Sequence, residues 1–398
     1  MEHLTIGYAQ STITPSLARP VYLAGFGRNR VAQSVHDDLY VRALALRYGD
    51  TRLALAALDV IGLFRHHCLE VAERVTAQVP GARVILASTH THHGPDTMGL
   101  WGPSYFKSGV DPVYMRELKD TLTATLVAAL AAPQPANLRS AAVHVPGVAK
   151  NARDPNIVDD ELTCLQFCAP DDGKPLVTVL IFPCHPETLW YDNPHITADY
   201  PGFLRAQVEA ATGAPCLFFS GALGGMMTPD VQEHTFAAAE RIGHTLAQAA
   251  LTALSGVAPA PVDRLTHTRE VYRIPLRNPL FKLSRLLGVL PREAVPGRTV
   301  MTEANLIKLG PVTLATAPGE VLPKLGLALK ADLKQTGVAV AGVIGLANDE
   351  LGYILPAEDF RYPRNPFKPG EHYEETMSIA KEAGSTLMQA WQELRVAS

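Results

Sequence analysis

Residues 84–96 read VILASTHTHHGPD, an apolar run, a polar break, three histidines within four positions and a Gly-Pro turn. A short aliphatic run that stops abruptly is how a strand covered on both faces reads, and such strands belong to α/β sheets. The histidines fall where the chain leaves the strand's C-terminal end, the edge at which open α/β sheets gather their binding loops. The same pattern recurs at Leu53–Leu58, Leu176–Phe182, Cys216–Phe219, Val312–Ala315 and Val338–Leu346. The last four of these runs lead into CHPE with His185, SGALGGMMTPD, APGE with Glu320, and NDELGY with Asp349, Glu350 and Tyr353.

Helical stretches lie between the runs. DPVYMRELKDTLTATLVAAL has Asp111 as N-cap, Pro112 at the first position and Leu118, Leu122 and Leu126 on one face. ADYPGFLRAQVEAATG closes at Gly213, and a helix over 233–254 closes at Gly256. No internal repeat is visible. The expected fold is α/β, a mixed β-sheet core with flanking helices in one domain over 1–398, with a metal site at the C-terminal ends of the strands.

The 398 residues are 47% hydrophobic and 19% charged, with mean hydropathy +0.06, which excludes a disordered chain. A net charge of -4 and a pI near 6.4 offer nothing to nucleic acid or an anionic membrane, so a small molecule is the expected partner. Five cysteines without a C-x-x-C pair exclude a disulfide framework and suit a reducing cytosol. The start MEHLTIGYAQ has neither a basic nor an apolar leader region, and no stretch reaches the roughly 18 apolar residues of a membrane span. A cytoplasmic location without stable membrane insertion is therefore expected.

Neutral imidazole is the commonest protein ligand for zinc and its neighbours. His90 and His92 stand two apart on extended backbone, so they share a face and can meet one ion, while His93 points to the other. His185 and Glu320, each just beyond a strand, add two further ligand types. Rival motifs fail. Gly94 breaks the metallo-β-lactamase H-x-H-x-D-H, no H-E-x-x-H or G-x-S-x-G occurs, no P-loop lysine follows Gly224-Gly225, and GFGRNR at 25–30 is a lone G-x-G.

ITP near the N-terminus, VHDDLYVRAL at 35–44, THTHHGP at 89–95, CHPET at 184–188, APGE at 317–320, GYILPAEDF at 352–360 and HYEETMS at 372–378 occur in this order across the chain. This ordered set resembles the catalytic domain of the neutral/alkaline ceramidases. The resemblance implies a zinc-dependent amidohydrolase with one Zn2+ per chain, held by His90, His185, Glu320 and Tyr353. It places His92, Arg153 and Tyr373 around the reacting amide, His92 to relay a proton and the other two to hold the oxyanion. His36 and Asp37 also fall in family-like segments and are expected to steer a ligand imidazole.

The chain departs from that family twice. A G-D-x-S-P-N stretch carrying a serine reads Gly225-Met226-Met227-Thr228-Pro229-Asp230 here, so Thr228 stands in for the serine. Full-length members carry a β-sandwich domain after the catalytic one, and these 398 residues are expected to correspond to the catalytic domain alone. An esterase or lactonase on the same site, and a non-catalytic lipid- or metal-binding homologue, are the alternatives.

NPLFKLSRLLGVLP at 278–291 is basic and amphipathic if helical, with Phe281, Leu283, Leu286, Leu287 and Leu290 against Lys282 and Arg285. Short and bounded by prolines, it is expected to pack on the core, and soluble short- or medium-chain acyl amides or esters are the expected substrates.

Overall fold

The computed structural model describes residues 3–294, 297–363 and 370–397. One five-stranded and two four-stranded sheets carry the architecture, and four strands of each are threaded alike. In the first, β1 (Thr5–Thr12), β2 (Tyr40–Tyr48), β3 (Thr51–Leu58) and β4 (Ala82–Ser88) lie in the order β4-β3-β2-β1, with Gln134–Pro135 beside β1. The first two pairings are antiparallel, and the third is parallel, reached through helix α1 (Arg65–Gln78). Helix α2 (Pro112–Ala131) comes next.

The second sheet repeats the scheme with β5 (Asn137–His144), β6 (Glu161–Cys168), β7 (Pro175–Phe182), the crossover α3 (Tyr200–Thr212), β8 (Cys216–Ser220) and then α4 (Phe236–Ser255). The third has β9 (Leu265–Pro275), an inserted α5 (Pro279–Leu286), β10 (Thr299–Leu309), β11 (Val312–Thr316), the crossover α6 (Pro323–Lys334), β12 (Val340–Ile344) and α7 (Ala383–Ala397). The six runs picked out from the sequence are the six strands of the three parallel pairs. The repeat itself escaped notice because TRLALAAL, PLVTVLIF and VTLAT at β3, β7 and β11 share an apolar pattern and little else.

Alternate residues of these strands face opposite ways. Leu53, Leu55 and Ala57 meet Val177, Val179, Ile181, Val312 and Leu314 in a core common to all three sheets. Ala54, Ala56 and Leu58 face the other way, with Val71 and Val75 of α1 and Leu118 and Leu122 of α2. Leu180 and Phe182 meet α3 and α4 in the same manner, and Ala315 meets α6 and α7. With both faces covered, the runs had to be continuously apolar. Each fully buried Leu, Val or Phe contributes roughly 1.5–3 kcal/mol.

The C-terminal ends of the three last strands are tied in a ring. The Ser88 N–H donates to the Leu346 carbonyl (3.2 Å), the Gly345 N–H to the Ser220 carbonyl (2.9 Å) and the Ser220 hydroxyl to the Thr89 carbonyl (2.7 Å). Every loop after a parallel strand therefore leaves from one small region, and the expected metal site lies there.

Helix ends obey the expected chemistry with two changes. Asp111 caps Val113 N at 2.8 Å and Gly213 is left-handed at φ 68°, whereas α4 starts only after its Thr235 cap and Gly256 stays right-handed. The stretch 278–291 forms a helix capped by Asn278 and packs on the core as expected through Phe281 and Leu290, although no residue of α5 itself is fully buried. All five cysteines are free and buried. Among the described residues no helix is long and apolar enough to cross a membrane.

Candidate metal centre

His90 leaves β4 with a left-handed φ of 68°, an uncommon conformation for a non-glycine residue. The segment after β3 holds it there. Its N–H donates to the Val60 carbonyl (3.0 Å) and its Nδ1–H to the Ile61 carbonyl (2.6 Å). His185, three residues beyond β7, donates from both its N–H and its Nδ1–H to the Met227 carbonyl, each at 2.8 Å. A carbonyl only accepts, so Nδ1 carries a proton in both rings, and Nε2 is the nitrogen each ring could turn to a metal.

The two Nε2 atoms converge. Glu320, positioned by the two-residue parallel pairing of Glu320–Val321 with Tyr353–Ile354, brings Oε2 to 3.0 Å from His185 Nε2 and 3.7 Å from His90 Nε2. The ring of His92 completes a triangle with centroids 5.1 Å from His90, 5.4 Å from His185 and 5.1 Å between those two. His90, His92 and His185 are buried and close enough to hold one metal ion. Two fixed imidazole nitrogens and a carboxylate are a donor set that suits zinc.

Burial keeps His90 neutral down to about 3 and lowers His92 as well. Burial also works against charge on His185, but Glu187 and Glu320 prevail and hold it near 9. Burial would raise Glu187, yet His92 and His185 bring it to about 2, helped by the Thr228 hydroxyl. Glu187 was missed at the sequence level. Its Oε2 lies 3.0 Å from His92 Nδ1, brought there by a tight turn in which the Glu187 N–H donates to the His185 carbonyl at 3.0 Å.

Gly25, also left-handed at φ 95°, lies so close that a Cβ there would meet His92 Cγ at 2.2 Å, and the Phe26 ring stands edge-on to His92 at 4.7 Å. The lone G-x-G is thus a cover for an imidazole. Tyr353 is buried, which pushes its hydroxyl well up; the hydroxyl lies 3.3 Å from Met226 Sδ and helps keep Glu320 low. Tyr373, its ring 6.1 Å from that of Tyr353, is raised to about 12 by burial and by Glu320.

Arg153 borders this group through Glu374, whose charge is felt by Tyr353 and Tyr373. Its guanidinium is gripped by Glu374 and by Glu375 (2.9 and 3.1 Å), and it donates to the Asp359 carbonyl at 3.2 Å. His36 stacks on Phe236 at 3.7 Å, and Asp37 accepts from Ala198 N at 3.0 Å. Neither meets a ligand imidazole, which corrects the expectation; they fasten the segment before α3.

His93 lies outside the triangle, with Nδ1 3.4 Å from Arg30 Nη2 and Nε2 3.5 Å from Asp199 Oδ2. His93→Ala is accordingly expected to retain full zinc by elemental analysis, at a stability cost of a few kcal/mol because it is fully buried. Loss of the metal in this variant would place His93 among the ligands.

No family model and no curated protein sequence matches the chain. Among solved structures it is similar to the neutral ceramidase from Pseudomonas aeruginosa, with TM-score 0.80 and 19% identity over 100% of this chain and 74% of that one. It is equally similar to a ceramidase complexed with C2, at TM-score 0.80 and 18% identity over 100% and 75%.

Proposed function

We propose, from a ceramidase fold that gathers three imidazoles and a carboxylate at one buried point, that this chain is a zinc-dependent hydrolase of N-acyl amide bonds. The observation that carries the reading is the convergence of His90 and His185 Nε2 on Glu320 Oε2. One zinc per chain is assigned to His90, His185, Glu320 and Tyr353, in a single catalytic domain, and five free cysteines support a cytoplasmic location. Bound there, zinc supplies a Lewis acid for the amide carbonyl and acidifies water.

The chain's own residues do the rest. Glu187 beside Nδ1 orients His92 and leaves Nε2 to pass a proton to the leaving amine. The Tyr373 hydroxyl is assigned to the carbonyl oxygen as charge develops on it. Arg153, gripped by Glu374 and Glu375, anchors the segment that carries Tyr373. Thr228 shares Glu187 with His92, so its hydroxyl completes the relay.

The test is turnover of paired N-acyl amides and esters before and after chelation, with zinc added back. Metal-dependent cleavage of amides supports the reading; cleavage of esters alone makes the chain an esterase, and no turnover makes it a binding homologue. Thr228→Val is expected to lower turnover about tenfold or more at constant zinc, with Thr228→Ser tolerated. Full activity in the valine variant removes Thr228 from the mechanism.

A further inference from the structure

We infer that α5 and the adjoining 99–109 loop form a docking surface for an anionic lipid bilayer. Phe281, Leu100 and Trp101 turn inward and pack on the helix-covered core of the third sheet. Their neighbours turn outward: Tyr105 is 72% exposed, Phe106 73%, Leu286 82%, Leu287 49% and Leu283 44%. The two segments touch, since a Cβ on Gly99 would meet the Val289 carbonyl at 3.4 Å.

Charge selects the occupant. The chain carries -4 overall, yet residues 277–298 hold Arg277, Lys282, Arg285, Arg292 and Arg298 against one acid, Glu293. Lys107 extends the basic strip into the loop. Lys107, Lys282 and Arg285 form no ion pair among the described residues, so their charges face outward unneutralised. Leucines on one side of a short helix, cations beside them and two aromatic rings at a loop tip are the composition that lies in the headgroup region of an anionic membrane. A short amphipathic helix binds weakly alone, and the loop's rings supply the second anchor.

The surface also adjoins the site. Asn29 N donates to the Trp101 and Gly102 carbonyls (3.2 and 3.1 Å), and the Arg28 guanidinium lies 4.2 Å over the Tyr105 ring. Arg28 and Asn29 belong to the same 25–30 strip whose Gly25 and Phe26 cover His92. A bilayer held here stands next to the strip that covers His92.

The experiment is co-sedimentation of the full chain with vesicles of phosphatidylcholine alone or mixed with phosphatidylglycerol, across a salt series. Binding is expected with the mixed vesicles, falling as salt rises. Leu286→Asp and Phe106→Asp should each weaken it about tenfold, and Lys282→Glu with Arg285→Glu should remove the preference for phosphatidylglycerol. Zinc content and the thermal transition of these variants should match the parent. A parent that stays in the supernatant, or variants that bind as the parent does, overturn the inference. So does a parent dimer that Leu286→Asp makes monomeric, since a second copy is then the occupant. Binding is read without turnover, so the docking surface and the proposed hydrolysis fail separately.

Discussion

His185→Ala is expected to give a folded protein that holds no zinc and turns over its substrate roughly a thousandfold more slowly or worse. The imidazole is fully buried, its Nδ1–H is fixed by the Met227 carbonyl, and its Nε2 faces Glu320 at 3.0 Å. Nothing nearby replaces that nitrogen at the same point, because His92 is already turned to Glu187. The substitution also opens a cavity and leaves a buried carbonyl without one donor, at a cost of about 1–3 kcal/mol, which a domain of ordinary stability survives. Elemental analysis, turnover and the thermal transition measured on one sample separate the effects. Zinc added back to chelated parent protein should restore activity, and the variant should not respond. Unchanged zinc in His185→Ala would remove it from the ligand set.

Asp59→Ala is expected to cost about 3–5 kcal/mol of unfolding free energy, the largest stability effect of any single substitution named here. Both Asp59 oxygens pair with Arg205, at 2.8 Å each, inside the protein, with Asp59 fully buried. Oδ2 also accepts from Tyr40 N and Oδ1 from the Thr89 hydroxyl. Alanine strands the Arg205 charge where no water reaches it. Asp59→Leu combined with Arg205→Met should recover most of the loss, because removing both charges removes the desolvation penalty too. Chemical denaturation of the single and double variants measures both. Because Thr89 and Val60 flank the support of His90, the single variant should also bind zinc more weakly. A double variant no more stable than Asp59→Ala would show that packing, not the stranded charge, sets the cost.

Periodicity, caps and turn residues made the parallel strands and most helices legible, because each of those signals is local. The buried histidines were legible too, because His90, His92 and His185 each follow closely on a buried strand, where a polar residue has few other uses. The features that stayed hidden depend on distance. Glu187 carries no signal of its own in the sequence, because its partner His92 lies 95 positions earlier in the chain. Arg153 looked free to face substrate until Glu374 and Glu375 were found around it. The outward face of α5 could not be read because an amphipathic pattern says which side is apolar and not whether anything covers it. The common threading of the three sheets was invisible for another reason: it is a property of connections, and apolar residues exchange freely within a packed strand.

That common threading shares the site among three like units. Each sends the loop after one strand of its parallel pair to the same region: the first carries His90 and His92, the second His185 and Glu187, the third Glu320. No unit holds more than two of these side chains, so a change that loosens any one sheet from the other two pulls the cluster apart, and only the assembled chain can present it whole.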